Sequence, residues 1–313
     1  MPVNQSGINI FAGAPLLADD LYATTGRVFY VGNVAVPGGV VGVDAAGSFG
    51  DSPKTPFATW DYAVGQCTGG RGDLIIITPG HAETITTAVA LDVIGIRTVG
   101  LGWGRLRPAF TASGAIDCVN VTAANCHIHN LRFVGAAADV TAQVNIAAAD
   151  FWASKCVFQQ DATPLYAITV ARAGSRFYLD QCEFLGTAAG PDGAVQFEGA
   201  GGTGIQENWR IMNCVFDYAD TGVDLGVIQS SFETIGGLAL NCTMIGVDTL
   251  IADFNSSVSA QGDGLLANIL VVAGAGIADI DTAIDHGGYS SANVLITDSV
   301  TESAAKTPLA TPA

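Results

Sequence analysis

Four acidic side chains form the densest group of residues with catalytic potential in this sequence. Asp217, Asp220 and Asp224 lie within the stretch DYADTGVD, and Glu198 falls in what the repeat pattern predicts to be the adjacent turn. Two carboxylates roughly 5 to 9.5 Å apart can hydrolyse a glycosidic bond, one acting as acid and the other as base or nucleophile. These four are the candidate catalytic residues if the protein is an enzyme. The alternative is that they are solvated turn residues, and then no catalytic residue is predicted.

The stretch CHIHN carries two histidines, His127 and His129, two residues apart. On a β-strand such residues face the same side, and because Ile128 is expected to point inward, both imidazoles are predicted to point outward. Two histidines could begin a zinc site, but the aligned residues of the next repeat, Trp152 and Ser154, add no third ligand. Only a three-fold axis could bring more histidines together. We therefore predict no metal and no cofactor within one chain.

The positions that must hold these residues follow a repeat of about 25 to 32 residues. Apolar and polar residues alternate around each repeat origin, which indicates β-strands. The origins are Leu131, Cys156, Cys182, Cys214 and Cys242, and two places later stand Phe133, Phe158, Phe184, Phe216 and Met244. Such short repeats bury their inner sides only by stacking, so equivalent side chains should lie above one another about 4.8 Å apart. The pattern predicts a solenoid of roughly eight turns between Leu74 and residue 300.

The composition favours such a β-rich fold and excludes two classes of partner. Hydrophobic residues make up 49% of the chain and charged residues 13%, and glycine occurs 39 times. This suits buried strands joined by tight turns. The 12 basic and 29 acidic residues give a net charge of −17, so the surface repels the phosphates of nucleic acids and of anionic membranes. We expect neither as a partner.

The sequence carries no recognisable export signal or membrane span. No basic segment precedes the short apolar run at the N-terminus, and the longest apolar stretch is interrupted by glycine. Seven cysteines, an odd number without CxxC spacing, indicate reduced thiols rather than a disulfide framework. We expect a protein made in a reducing cytoplasm.

A capping helix is predicted in the segment SPKTPFATWDYAVGQC, where Thr59 can serve as the N-cap. Trp60, Ala63 and Val64 of this helix could cover the first turn, because an open solenoid end exposes apolar core. GRVFYVGN is predicted to be a strand, and GDLIIITPG the first buried strand. The predicted divisions are an N-terminal arm and linker over residues 1–50, capping helix and solenoid over 51–300, and a C-terminal tail over 301–313.

The opening DSPKTPFATWDYAVGQCTGGRGDLIIITPGHAETIT resembles a recurrent opening in one family. It is similar to right-handed parallel β-helix proteins with a pectin-lyase-like fold found among bacteriophage structural proteins, in which SP.KPFAT leads into GD.I...PG..E.I. The resemblance continues through IGIRTVGLGWGRLRPAF and the cysteine repeats to about residue 300. It implies an all-β, single-stranded right-handed parallel β-helix with a short N-terminal capping helix. It also implies a virion-associated protein, commonly a homotrimer.

From this resemblance we expect a bacteriophage virion structural protein, namely a trimeric capsid decoration or head-fibre protein located in the virion after assembly in the host cytoplasm. The N-terminal arm would attach it to the major capsid protein or another virion protein. A tail spike usually has a larger attachment domain, whereas only about 25 residues precede the first predicted strand here. The alternative is a tail-spike depolymerase, a polysaccharide hydrolase or lyase acting on host surface glycan. A third possibility is a carbohydrate-binding module that does not cleave its ligand.

Overall fold

In the computed structural model, parallel strands pair from one turn of the chain to the next and build a β-solenoid. The described residues are 10–11, 14–15, 24, 26–33, 40–47, 49–135, 142–160, 166–186, 191–198, 206–218, 226–230, 234–247, 250–253, 263–273, 279–280 and 288–298. None of the helices in these residues is long and apolar enough to cross a membrane.

Each turn presents up to three strands, and the stacked strands form three faces. The strands of the first face are Val28–Val31, Leu74–Ile77, Arg97–Gly100, His127–His129, Trp152–Ser154, Tyr178–Asp180, Arg210–Met212 and Gly237–Leu240. The strands of the second face are Ala82–Ile85, Ala109–Ala112, Arg132–Gly135, Val157–Gln160, Glu183–Gly186, Val215–Asp217 and Thr243–Val247. The long strands Asp263–Ala273 and Gly288–Asp298 follow the same sheet, which has 17 strands in all.

The third face is a separate sheet of 8 strands. Its strands are Val89–Leu91, Val119–Val121, Ala142–Ile146, Tyr166–Ala171, Gly193–Glu198, Gly226–Ser230, Leu250–Asp253 and Asp279–Ile280. The remaining elements are the α-helix Trp60–Gly65, the 3-10 helix Gly104–Leu106, and the short strands Ile10–Phe11, Ala14–Pro15, Gln206–Glu207 and Thr234–Ile235.

The interior contains the side-chain ladders that the repeat predicts. On the second face, Phe158 lies directly between Phe133 and Phe184 in the strand register, with ring centroids 5.3 and 4.9 Å apart. All three rings are fully buried. The stack continues at its two ends through Phe110, Phe216 and Met244. Successive rings each bury a large apolar area, and this gives the strands their common register.

The predicted cysteine ladder lies at the bend between the first and second faces. The four thiols are buried and donate to nearby backbone carbonyls, as Cys182 does to the carbonyl of Ala153 at 3.6 Å. All seven cysteines of the chain lie among the described residues, and each is a free thiol. The ladder therefore fills a tight corner with small polarizable side chains, as expected from the sequence.

Just before each of these cysteines the backbone turns through the left-handed region. The residues at this bend are Asn130, Lys155, Gln181, Asn213, Asn241 and Asn268, with φ between 52° and 55°. At this bend the backbone N–H points towards the following turn. The N–H of Asn213, for example, donates a hydrogen bond to the backbone carbonyl of Leu240 at 2.9 Å. Asparagine is among the few residues that adopt this geometry at low cost, which confirms the prediction of a bend rich in amide side chains.

The predicted capping helix is also confirmed. The hydroxyl of Thr59 accepts a hydrogen bond from the backbone N–H of Tyr62 at 3.3 Å. Trp60, Ala63 and Val64 are buried against the first turns. The cap thus satisfies a free helix N–H and covers the apolar end of the stack.

The N-terminal end of the stack begins earlier than the sequence indicates. The predicted upstream strand Val28–Val31 pairs in parallel with Leu74–Ile77, so it forms a layer ahead of the predicted first buried strand. The buried carboxylate of Asp73 joins the two layers, because it accepts the backbone N–H of Arg27 at 2.8 Å and pairs with Arg71 at 2.6 Å. Most of residues 1–25, and residues 301–313, lie outside the described residues, and the domain boundaries stay predictions.

Candidate functional site

A groove of about 590 Å³ lies on the outer side of the first face. It crosses the middle turns of the solenoid, where both bends of each turn form its rims. Its lining residues are Gly95, Arg97, Asn125, Cys126, His127, His129, Asp150, Trp152, Ser154, Lys155, Asp180 and Gln181. The two histidines predicted to point outward are both among them.

One row of outward side chains runs along this face parallel to the solenoid axis. The strand register places Arg97, His127, Trp152, Tyr178 and Arg210 in this order, one per turn. The His127 and Trp152 rings are stacked, with centroids 4.4 Å apart and planes 3° from parallel. The ring of Tyr178 meets Trp152 edge-on at 5.1 Å. Trp152 remains 43% exposed, so the row offers a flat aromatic surface between two arginines.

A serine hydroxyl lies beside this row, between two imidazoles. Ser154 Oγ is 3.0 Å from Nε2 of His127 and 2.8 Å from Nδ1 of His129. Burial, followed by the unfavourable electrostatic interaction of a protonated His127 ring with His129 and Arg97, lowers the pKa of His127 to about 3. His127 is therefore neutral at physiological pH, with one ring nitrogen carrying a proton and the other free to accept one.

The rims of the groove are held by ion pairs and amides. Asp150 and Arg176 pair across adjacent turns at 2.7 Å, and the arginine lowers the pKa of that carboxyl. Asp180 accepts a hydrogen bond from the side-chain amide of Asn213 at 2.8 Å, and Asn241 donates in turn to Asn213 at 3.2 Å. These contacts fix the positions of the acidic groups around the aromatic surface.

The left-handed bends on the two sides of the groove carry different kinds of residue. Lys155 and Gln181 line the groove at the bend on one side, whereas Asn125 and Asp150, both with φ of 60°, line it at the bend on the other. A side chain other than glycine, asparagine or aspartate in this region costs on the order of 1 kcal/mol or more. Residues that accept backbone strain in this way cluster at functional sites. Lys155 and Gln181 therefore occupy their bend at a backbone cost that asparagine would avoid.

The acidic residues predicted from the sequence lie elsewhere. Asp217 ends the strand Val215–Asp217 of the second face and is half-buried, whereas Glu198 ends a strand of the third face. Burial raises the pKa of Glu198. Asp220 and Asp224 lie outside the described residues. The structure brings Asp217 and Glu198 onto different faces rather than onto one strand surface, and the catalytic set stays a prediction.

No set of three or more histidine, cysteine, aspartate or glutamate side chains converges on a common point in the part of the chain that the structure describes. The groove itself was not predicted from the sequence, although a signal for it is present. The residues four places before the successive repeat origins are His127, Trp152, Tyr178 and Arg210. Aligning these positions would have revealed an outward row of rings ending in a cation.

Comparisons with known proteins relate this chain to others by fold. The protein-family models and the curated proteins gave no match. Among solved structures, the pectate lyase Pel9A is 12% identical with a TM-score of 0.51, covering 90% of this chain and 79% of that one. Geobacillus virus E2 ORF18 is 10% identical with a TM-score of 0.43, covering 76% of this chain and 56% of that one. A rhamnogalacturonan lyase is 12% identical with a TM-score of 0.42, and the match covers 85% of this chain and 73% of the lyase.

Identities this low show shared architecture and not shared activity. The match to the pectate lyase over 90% of this chain agrees with the parallel strand pairing described above. The predicted fold class is confirmed: this chain is a right-handed parallel β-helix with the fold of the pectate lyase.

Proposed function

We propose that this protein is a structural component of a bacteriophage particle and that it binds a polysaccharide in the groove of the first face. The glycan-binding part is carried by one observation, the outward row in which Trp152 stacks on His127 between two arginines. Ligand sites combine an apolar or aromatic surface with a few fixed polar groups that set orientation. The apolar side of a sugar ring can pack on Trp152 while its hydroxyls meet the rims.

The shape of the row suits a chain-like ligand. Side chains of adjacent turns lie about 4.8 Å apart, so the row from Arg97 to Arg210 extends over about 19 Å. A ligand lying along the solenoid axis would meet His127, Trp152 and Tyr178 in succession. A polysaccharide has this extended form and alternates apolar ring surfaces with hydroxyl groups. A compact metabolite would use only part of the row.

The glycan proposal is tested by binding of purified protein to immobilised host capsule or lipopolysaccharide. Trp152→Ala should weaken binding at least tenfold, about 1.4 kcal/mol, because exposed tryptophans in binding surfaces often contribute that much. Val215→Ala is the matched control, since Val215 is also an outward strand residue, 37% exposed, but on the second face. Equal loss in both variants, or no binding by the wild type, would contradict the proposal.

The virion part of the proposal is supported by the opening sequence and by its capping helix. SPKTPFATW and GDLIIITPG resemble phage β-helix proteins, and Thr59 and Trp60 perform the capping that this resemblance implies. We propose a homotrimer that decorates the capsid head and attaches to the major capsid protein through residues 1–50, assembled in the host cytoplasm.

Copy number per particle tests the virion proposal. Quantitative mass spectrometry of purified virions would compare this chain with the major capsid protein. Hundreds of copies per particle would support head decoration, whereas a dozen or so would indicate a spike or fibre instead. Absence from the particle would overturn the virion part and leave the glycan-binding part standing on its own experiment.

The second candidate is a tail-spike depolymerase that cleaves host surface glycan. One observation favours it: burial raises the pKa of Glu198, as a carboxyl that donates a proton requires. The test is the appearance of new reducing ends or unsaturated sugars when host polysaccharide is incubated with the protein. If activity is found, unchanged rates in Asp217→Asn and Glu198→Gln would remove these residues from the catalytic set.

A further inference from the structure

The hydroxyl of Ser154 has the surroundings of an activated nucleophile rather than of an ordinary strand serine. Its oxygen lies within hydrogen-bonding distance of two ring nitrogens, from His127 at 3.0 Å and His129 at 2.8 Å. A serine hydroxyl has only one proton, so it donates to one imidazole and accepts from the other. With Nδ1 of His129 as the acceptor of the serine proton, Nε2–H of His127 donates to Ser154.

We infer that Ser154 is the nucleophile of an esterase site that removes small acyl groups from the hydroxyls of the glycan bound in the groove. This inference rests on the proposed glycan binding for its substrate, but the nucleophile itself is defined by the serine and the two histidines. A serine becomes nucleophilic when an adjacent base takes its proton, and a pair within about 2.6 to 3.2 Å is the geometric signature of this.

The reaction proceeds in two balanced halves. Ser154 Oγ attacks the carbonyl carbon of the acyl ester while its proton passes to Nδ1 of His129. The tetrahedral intermediate collapses, the sugar oxygen leaves with the proton from His129, and an acyl-serine remains. Water then gives a proton to His129 and its oxygen attacks the acyl carbon. Oγ leaves, recovers that proton and releases a carboxylic acid, so that one ester and one water give one alcohol and one acid.

Two further features of the groove suit this reaction. Arg97 and Lys155 both line it, so the groove contains two cationic side chains that can offset negative charge developing on the acyl oxygen. The neighbouring carboxylates are already engaged, Asp150 with Arg176 and Asp180 with Asn213. Their charge is therefore partly compensated, which limits their opposition to the developing oxyanion.

The burial of Ser154 limits the size of the acyl group. The residue is only 6% exposed and His129 only 9%. An acetyl group can reach such a hydroxyl, whereas a long or branched acyl chain would collide with the stacked rings of His127 and Trp152. The substrate class is thus an O-acetylated polysaccharide, and the product is the same polysaccharide with free hydroxyls.

The nucleophile is tested directly with a fluorophosphonate probe, which forms a covalent bond with activated serines. Mass spectrometry of the labelled wild-type chain should place the adduct on Ser154. Labelling should disappear in Ser154→Ala and slow by about 100-fold or more in His129→Gln, because the general base is lost. Ser175→Ala, which changes a serine outside the groove, is the control and should label like the wild type.

The reaction is tested by acetate release from an O-acetylated bacterial polysaccharide. Wild-type protein should release acetate, while Ser154→Ala should not. Binding without labelling or acetate release would overturn the esterase inference and leave the glycan proposal intact. Labelling of Ser154 without glycan binding would support the activated serine but overturn the glycan as its substrate. Labelling on other serines, with Ser154 unmodified, would also overturn the inference.

Discussion

The interior of the second face and the exterior of the first face show opposite kinds of sequence change from turn to turn. The inner row of the second face keeps one side chain, as Phe110, Phe133, Phe158, Phe184 and Phe216. The outer row of the first face changes at each step, as Arg97, His127, Trp152, Tyr178 and Arg210. A stacked interior requires each residue to fit the one before it. The outer row is free of that constraint, so its composition carries the information about ligands.

The left-handed bend between the first and second faces shows the same contrast between a uniform residue type and a variable one. Asn213, Asn241 and Asn268 occupy the bend in turns where it does not line the groove, and their amides form a hydrogen-bonded ladder. Lys155 and Gln181 occupy the same bend where it borders the groove. The fold favours asparagine at this position, so a departure from asparagine indicates another role.

The largest effect is expected from removing one ring of the inner stack. Phe184 lies 4.9 Å from Phe158 and 4.7 Å from Phe216, and it is fully buried. Phe184→Ala should lower the free energy of unfolding by about 3 to 5 kcal/mol, because a cavity replaces the ring. Denaturant unfolding measures this, with the exposed Trp152→Ala as the control, which should lose far less. A loss below about 0.5 kcal/mol in Phe184→Ala would contradict the inward register.

Acid sensitivity is expected to distinguish the groove from the interior. The folded-state pKa of His127 is about 3, below its ordinary value of 6.5, owing to burial and the charges of His129 and Arg97. Above pH 6.5, His127 is neutral in both the folded and the unfolded chain, so its protonation does not reduce the free energy of unfolding. As the pH falls from 6.5 towards 3, His127 becomes protonated in the unfolded chain but stays neutral in the folded chain. The free energy of unfolding therefore decreases.

The contribution of His127 can be isolated by substitution. At pH 4.5 the wild type should have lost about 2 kcal/mol more unfolding free energy, relative to pH 7, than His127→Gln. Denaturant unfolding of both proteins at the two pH values gives this difference. Equal acid sensitivity in wild type and variant would mean that His127 titrates normally and is not held neutral by its surroundings.

The smallest effect is expected at the bend beside the groove. Lys155→Asn should raise the unfolding free energy by roughly 0.5 to 1 kcal/mol, because asparagine accepts the left-handed backbone more readily. It should also weaken glycan binding, since Lys155 lines the groove. The reciprocal change Asn241→Lys should lower stability by a similar amount without affecting binding. If Lys155→Asn left binding unchanged, the assignment of Lys155 to the ligand would be wrong.

The sequence predicts the parts of this fold that depend on repetition. The cysteine and phenylalanine ladders and the cap formed by Thr59 and Trp60 follow from local periodicity and from helix-end chemistry. The early start of the stack does not, because Asp73 joins residues more than forty positions apart through a side chain. Contacts of that kind leave no periodic signal.

The candidate site is less accessible to sequence reasoning for a related reason. His127 and His129 are visible as a pair, but their convergence on Ser154 requires both the register between turns and the side-chain conformations. The acidic group shows why closeness along the chain does not by itself give closeness in space. Glu198 and Asp217 belong to neighbouring repeats yet end strands on different faces.

The most direct test of the central claim is a crystal structure of the protein with an oligosaccharide prepared from the host surface polysaccharide. We expect a sugar ring packed on Trp152, with the chain running along the row between Arg97 and Arg210 and its hydroxyls on the rims of the groove. Sugar bound on the second or third face, or a groove filled by another copy of the chain, would contradict the claim that the outer side of the first face binds glycan.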